Sequence, residues 1–210
     1  MKQQKVFCVG FQKTGTTSLG LALEYLGYSV CGYYPFRDFA HVKHFDEMAF
    51  RKRVFDLADT HDAFKDTPWP IFYRELDERY PGSKFILIIR DTEKWIMSAS
   101  EDFQGYENSI HNYIYGVPYP LGHEDVFVDR YKRHNREVRE YFSTRPDDLL
   151  TLCLDEGDVN WANICGFLGY DVPDADWPHS NTFRQKRVKS LAWRVRKKLN
   201  RLYVRKKGAT

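Results

Sequence analysis

Residues 84 to 90 read Lys-Phe-Ile-Leu-Ile-Ile-Arg. Five consecutive large apolar residues without alternation suit a strand buried on both faces, as in a parallel sheet covered by helices on each side. Parallel strands need crossover connections, usually helical, so this run constrains the chain to an α/β architecture. Arg90 then stands at the carboxyl end of the strand, the edge at which open α/β sheets bind ligands.

The N-terminal stretch from Lys5 to Gly20 adds a second constraint. Val6 to Val9 form an apolar run that reads as a buried strand, Gly10 and Gly15 bracket a polar loop, and the spacing of Leu19, Ala22, Leu23 and Leu26 predicts a helix from about Thr16. Strand, glycine-bounded loop and helix together make a phosphate cradle: backbone N–H groups and the positive end of the helix converge on an anion. Lys13 adds a full charge, and the Thr and Ser hydroxyls add donors. A Walker A loop places its lysine after the second glycine. Here Lys13 precedes Gly15 and Thr16 follows it, so this is not a standard ATPase loop. By itself the motif also fits a plain strand-to-helix turn with an exposed lysine.

The order G-x-x-K-T-G-T-T after an N-terminal strand resembles the loop of the sulfotransferases that use 3′-phosphoadenosine 5′-phosphosulfate (PAPS). A second segment strengthens the resemblance. From Arg90 to Ser98 the chain reads R-D-x-x-x-W-x-x-S, which is similar to the family's 3′-phosphate segment, and a forked guanidinium with a hydroxyl suits a terminal phosphate. Taken without the first motif, Arg90 could equally pair with Asp91 or Glu93 while Ser98 is solvated. A third likeness lies in Trp161, Phe167-Leu168-Gly169, Pro173 and Trp177-Pro178-His179-Ser180-Asn181, which look like the closing segment of one sulfotransferase branch. Arg184, Lys186 and Arg187 follow. In the family a basic stretch near the C-terminus closes over the 3′-phosphate, although its usual glycine-rich form is absent here.

The resemblance covers roughly residues 5 to 183. It implies a three-layer, P-loop-like α/β fold with a central, mostly parallel sheet flanked by helices. It also implies a domain over residues 1–183 and a separate basic, helical tail over 184–210. By the same resemblance Lys13 faces the oxygen bridging sulfur and phosphorus. Thr14, Gly15, Thr16, Thr17 and Ser18 hold the 5′-phosphate, and Arg90 and Ser98 hold the 3′-phosphate, with Arg184 and Arg187 as further candidates. The products would be 3′-phosphoadenosine 5′-phosphate (PAP) and a sulfated acceptor, formed by in-line displacement. The scheme depends on alignment and charge stabilisation and calls for no metal.

A hydroxyl acceptor needs a base. Cytosolic relatives place a histidine, and carbohydrate-acting relatives a glutamate, in a Lys- and Pro-containing stretch just after a middle strand. Here that stretch is Lys65-Asp66-Thr67-Pro68, and Asp66 is the carboxylate on offer. Asp before Thr-Pro is equally a helix N-cap, and His61 and Asp62 are neighbouring alternatives for the base. A P-loop nucleotide or small-metabolite kinase is the competing enzyme class, opposed by the lysine position and distinguished by magnesium dependence. A non-catalytic binding module with a basic tail is the competing class outside enzymes.

Charge is unevenly spread. From Arg184 to Thr210 there are twelve Lys or Arg and no Asp or Glu, which leaves 20 basic against 29 acidic residues before it, a net of −9. Val188, Leu191, Ala192, Val195, Leu199 and Leu202 recur at helical spacing in that tail. Docking on the acidic body or a solvated face is expected, contact with an anionic membrane surface is open, and nucleic acid is not expected as a partner. The acceptor itself, whether small molecule, glycan or lipid, is not written in the sequence. A hydrophobic share of 42% with 16% aromatics excludes a disordered chain. Cys8, Cys31, Cys153 and Cys165 lack C-x-x-C spacing and read as reduced residues rather than a zinc site or disulfide frame. The cradle strand begins at about the fifth residue, leaving no room for a signal peptide, and no apolar run nears the ~18 residues of a membrane span. A cytoplasmic enzyme is expected.

Further strands are predicted at Ser29–Cys31, Asp62–Phe64 and Leu149–Leu154. Helices are predicted over 36–57 with a break, over Trp69–Arg79, from 91–93 onward, over Glu124–Ser143 and over Asn160–Leu168. Asp66 or Thr67 would start the second of these. His41 and His44 would share a face of the first, where surface or capping roles are expected rather than a metal site. Residues 101–123, rich in aromatics, could line an acceptor pocket, form a lid over it, or pack on the body.

Overall fold

The computed structural model describes residues 4–178; His179 to Asn181, the Arg184, Lys186 and Arg187 group, the boundary placed at 183/184 and the basic tail lie outside the described residues. Five strands form one sheet: β1 (Val6–Cys8), β2 (Val30–Cys31), β3 (Ala63–Phe64), β4 (Lys84–Ile89) and β5 (Leu149–Cys153). Their order is β2-β3-β1-β4-β5, and every pairing is parallel. The helices are α1 (Thr16–Tyr25), α2 (Glu47–Thr60), α3 (Tyr73–Arg79), α4 (Thr92–Phe103), α5 (Ser109–Tyr115), α6 (Glu124–Tyr141) and α7 (Trp161–Leu168).

Period-two alternation sorts the strand side chains into two cores. Phe7, Phe64, Phe85 and Leu87 face a large aromatic core completed by α2 to α6, while Val6, Cys8, Ala63, Ile86 and Ile88 face a smaller one completed by Leu19 and Leu23 of α1 and Ile164 of α7. This is the three-layer α/β fold that the run of apolar residues in β4 requires. Phe7 stacks on Phe64 at 4.6 Å and on Phe85 at 5.4 Å between ring centroids, so truncating any one of them should cost about 3–5 kcal/mol. Among the described residues, no helix is long and apolar enough to cross a membrane.

Three expectations are corrected. Residues 36–57 are not one helix with a break inside it: a 3₁₀ segment, Tyr34–Phe39, is followed by non-helical chain until Asp46 caps α2 by accepting from the Ala49 N–H at 2.9 Å. His41 and His44 therefore lie between elements and share no helix face; His41 Nδ1 contacts the Glu107 carbonyl at 2.9 Å. The predicted helix 69–79 begins as a 3₁₀ turn, Trp69–Phe72, with Pro70 in its first turn, where no N–H is needed, and becomes α3 only at Tyr73. Its N-cap position is Pro68, so neither Asp66 nor Thr67 caps it with a side chain. Residues 101–123 contain the end of α4 and the whole of α5, which Asn108 caps at its start and Gly116, at φ 80°, ends.

Because all strands run the same way, the loops leaving β1, β3, β4 and β5 emerge on one edge of the sheet. Residues 9–15, Lys65–Pro68, Arg90 and Leu154 are therefore brought together by topology, whatever their distance in sequence.

Candidate active site

The cradle follows β1 as expected. A Cβ on Gly10 would press into the backbone of Ile88 in β4, so only glycine lets the loop leave the sheet here, and Gly15 adopts φ 92° as the residue before α1. No side chain caps α1 and no acidic residue lies in its first turn. Helix geometry leaves the first N–H groups without intrahelical partners, so the positive end of α1 faces the cleft open to an anion. Helices α2, α4, α5 and α7, by contrast, each begin with an Asp or Asn side chain accepting from the backbone.

The loop is pinned from three directions through Gln12. Its carbonyl accepts from Trp95 Nε1 at 2.9 Å, its side-chain nitrogen donates to the Tyr115 hydroxyl at 2.8 Å, and its side-chain oxygen accepts from the Thr67 hydroxyl at 2.9 Å. Thr14 is fully buried and its hydroxyl donates to the Phe11 carbonyl at 2.7 Å. That hydroxyl's proton is thus spent inside the loop. Behind the cradle, His134 of α6 stacks on Phe11 at 4.3 Å and bonds the Val9 carbonyl at 2.7 Å; burial pushes its pKa down to about 3, so at neutral pH the ring is uncharged and donates through Nε2.

A cleft of about 720 Å³ opens above this edge. It brings together Lys13, Gly15, Thr16, Thr17, Ser18, Asp66, Arg90 and Ser98, eight of the residues singled out in the sequence; Thr14 lies beneath it. Lys13 holds a left-handed backbone, φ 68°, and so does Asp66, φ 64°, conformations costly for residues with a Cβ and common where a site dictates geometry. Arg90 reaches under the cradle, donating from Nη1 to the Lys13 carbonyl at 3.3 Å, while its Nε is buried with no partner in the protein. An orphaned buried guanidinium donor is a place for an anionic acceptor. The backbone of Arg90 is clamped by one phenol: the Tyr131 hydroxyl accepts from its N–H at 2.7 Å and donates to its C=O at 2.9 Å, and the Tyr131 ring stacks on Trp95 at 4.1 Å. Asp155, just past β5, accepts from the Asp91 N–H at 2.7 Å and from Lys94 at 2.9 Å, and the first of these bonds holds its carboxyl below the usual range.

Asp66 is engaged at both oxygens. Oδ1 accepts from the Thr16 hydroxyl at 2.8 Å and Oδ2 from Lys65 Nζ at 2.7 Å. Lys65 reaches it by lying across Gly20 of α1 and Gly32, two positions without side chains. His61 is turned away, its Nδ1 contacting the Leu57 carbonyl at 3.1 Å and the Thr60 hydroxyl at 3.0 Å, and Asp62 does not line the cleft.

The cleft residues not expected from the sequence include Asp102, Asn108 and His111. Asp102 places Oδ2 3.2 Å from Lys13 Nζ; the signal was its position one helical turn after Ser98, on the same face of α4. Asn108 and His111 come from α5, whose Asn cap and terminal glycine were legible signs of a helix. His111 is 5% exposed, packs on Phe103 at 4.5 Å, and burial pushes its pKa down to about 4 against the opposing pull of the Pro118 carbonyl. The aromatic stretch thus divides: Phe103 and His111 line the cleft, Tyr115 is in the core, and Tyr106 and Leu121 are exposed. The four cysteine thiols are free, with Cys8 and Cys31 raised to about 12 by burial. Among the described residues, no group of three or more His, Cys, Asp or Glu could hold a metal ion.

The fold and cleft define an α/β protein whose glycine-bounded loop, uncapped helix start and Arg90 guanidinium share one sheet edge. A family model described as a sulfotransferase domain matches residues 5–185, and the chain belongs to that family. It is 26% identical over 215 residues to the Ava biosynthesis cluster protein M of Aspergillus versicolor, a match covering 83% of this chain and 80% of that protein. A crystal structure of a sulfotransferase from Alicyclobacillus acidocaldarius is similar at 16% identity and a TM-score of 0.46, over 97% of this chain and 96% of that one. Family membership makes the protein an enzyme of sulfuryl transfer.

Proposed function

We propose that the donor is PAPS and that the enzyme passes its sulfuryl group to a hydroxyl or amine of a small-molecule, glycan or lipid acceptor. The observation that carries the donor reading is the buried, unpartnered Nε of Arg90 in the same cleft as the uncapped start of α1. Two anion sites suit a nucleotide phosphorylated at both 5′ and 3′ positions. The cradle from Lys13 to Ser18 would hold the 5′ end, through backbone N–H groups in the case of Thr14, and Arg90 with Ser98 the 3′-phosphate. Lys13 would stabilise the charge that grows on the departing phosphate oxygen.

The kinase reading meets a specific obstacle. P-loop enzymes hold magnesium with the first hydroxyl of the cradle helix and a nearby carboxylate, and Thr16 and Asp66 are such a pair, 2.8 Å apart. Here, however, Lys65 already occupies the second carboxylate oxygen. The cytoplasmic setting is supported by the four free thiols.

Calorimetric titration without magnesium tests the donor. PAP should bind at least tenfold tighter than AMP or ATP, and Arg90→Ala should remove about 1.5–3 kcal/mol of PAP affinity, roughly 10- to 100-fold, with AMP unaffected. A preference for ATP that appears only with magnesium would replace this reading with the kinase one.

A further inference from the structure

Lys13, the residue nearest the chemistry in this reading, is paired with a carboxylate. The pair is half open to solvent, with side-chain exposures of 27% for Lys13 and 55% for Asp102, and pairs of that kind contribute at most about 1 kcal/mol. A phosphosulfate arriving in the cradle brings more negative charge, so it would take the ammonium and leave Asp102 behind. An acidic group facing an anion cradle works against binding the anion, and the fold keeps it there although α4 could carry a neutral residue at an exposed position.

The two cleft carboxylates differ in what they are free to do. Asp66 accepts from Thr16 and Lys65 together. Asp102 has Lys13 as its one partner among the described residues, and it sits next to Phe103, on the side of the cleft formed with Asn108 and His111.

We propose that Asp102, not Asp66, is the base for the acceptor, held by Lys13 in the empty cleft and released when the donor draws Lys13 away. This rests on the reading of the cleft as a PAPS site. In the step, a lone pair of the acceptor oxygen forms the new bond to sulfur. The bond from sulfur to the phosphate oxygen breaks with its electron pair remaining on that oxygen beside Lys13, and the acceptor's hydroxyl proton passes to Asp102. The carboxylate becomes a neutral carboxylic acid, so no co-reactant is needed. The exchange also sets an order: donor first, then a competent base.

The test is Asp102→Asn, which keeps size and removes charge. Calorimetry with PAP should show affinity raised about three- to tenfold, because a competitor for Lys13 and a repelling charge are gone. PAP formation from PAPS, with water or 2-naphthol as acceptor, should fall about 10²- to 10⁴-fold, and Asp102→Glu should recover part of it. A merely structural aspartate would not strengthen binding while turnover is lost. PAP affinity unchanged or weakened, or turnover within threefold of the parent, overturns the proposal. If the affinity does not rise, the proposal is overturned even for a parent that turns over neither acceptor. If the parent itself does not bind PAP, the donor reading has failed, and the role of Asp102 falls with it.

Discussion

The two walls of the cleft are built by different means. The donor wall, from the cradle to Arg90, stands on strand ends and is tied down by contacts from other elements: Trp95 and Thr67 on Gln12, Tyr131 on both backbone groups of Arg90, and Asp155 on Asp91. The far wall, from Phe103 to His111, presents rings to the cleft from the end of α4 and from the seven-residue α5, which packs His111 and Tyr115 on Phe127. That helix is anchored by Ser109, whose N–H donates to the Ala40 carbonyl at 2.7 Å and whose hydroxyl donates to the Val42 carbonyl at 3.0 Å. A fixed wall suits a ligand that is always the same. A wall of rings suits one whose shape varies between relatives, since packing against a face is less particular than a set of charged hydrogen bonds.

The sharpest way to break this contrast is to remove the charge at its centre. Lys13→Met is expected to lower sulfuryl transfer about 10³-fold, near 4 kcal/mol, while PAP affinity stays within about tenfold. Single-turnover kinetics with PAPS would read it, and a loss confined to binding would place Lys13 on the ground state only. A smaller effect is expected from Tyr131→Phe. With the hydroxyl gone, Arg90 loses both backbone anchors, and PAP affinity should fall about three- to tenfold with AMP affinity unchanged, since hydrogen bonds of this kind are worth about 1 kcal/mol each. Tyr33→Phe, at a cleft residue whose hydroxyl accepts from Asn108 Nδ2 of the far wall at 3.4 Å, should leave PAP affinity within about twofold. Equal losses for PAP and AMP in Tyr131→Phe would mean that the whole wall had shifted rather than one guanidinium.

The smallest effect, read per pH unit, compares one buried imidazole on each wall. His111 and His134 have pKa values pushed down to about 4 and about 3 from an ordinary 6.5. Below about pH 6.5 the unfolded chain takes up protons that the folded chain refuses, so stability falls with falling pH, until about pH 4 for His111 and about pH 3 for His134. Each should remove on the order of 1 kcal/mol per pH unit in its window. Melting temperatures from pH 7 to 4 would show the slope; His134→Gln and His111→Gln should each flatten it, and a slope untouched by both would mean that neither ring is buried neutral.

What the sequence made legible follows the same division. The donor wall is local: a strand, a turn and a helix start within a few residues, and glycines and charges mark the turn, so Lys13, Arg90 and Ser98 could be placed from neighbouring residues. The strand run 84–89 dictated the layers for the same reason. Asp66 could be found but not understood, because its partner Thr16 lies fifty positions earlier in the chain and only the sheet order puts them in contact. The far wall depends on which aromatic residues meet across distant segments, and a string of Phe and Tyr does not say which of them face the core. A break within 36–57 was expected, but its place and length, from Phe39 to Glu47, were not, because apolar spacing continues through it.

Lys65 lies where a side chain on Gly20 would otherwise be: a Cβ there would come within 2.5 Å of its Cδ. Replacing a buried helical glycine with alanine ordinarily strengthens a helix by about 1 kcal/mol. At this position the gain would come with an eviction, since the flexible lysine would give way first and carry its ammonium off Asp66. An engineer scanning α1 for routine stabilising changes would therefore set a gain in helix propensity against the loss of the Lys65–Asp66 ion pair, and the cradle threonine would lose the partner arrangement that sets the direction of its hydroxyl. Gly20 is a case in which helix propensity and readiness to act are set against each other by a single methyl group.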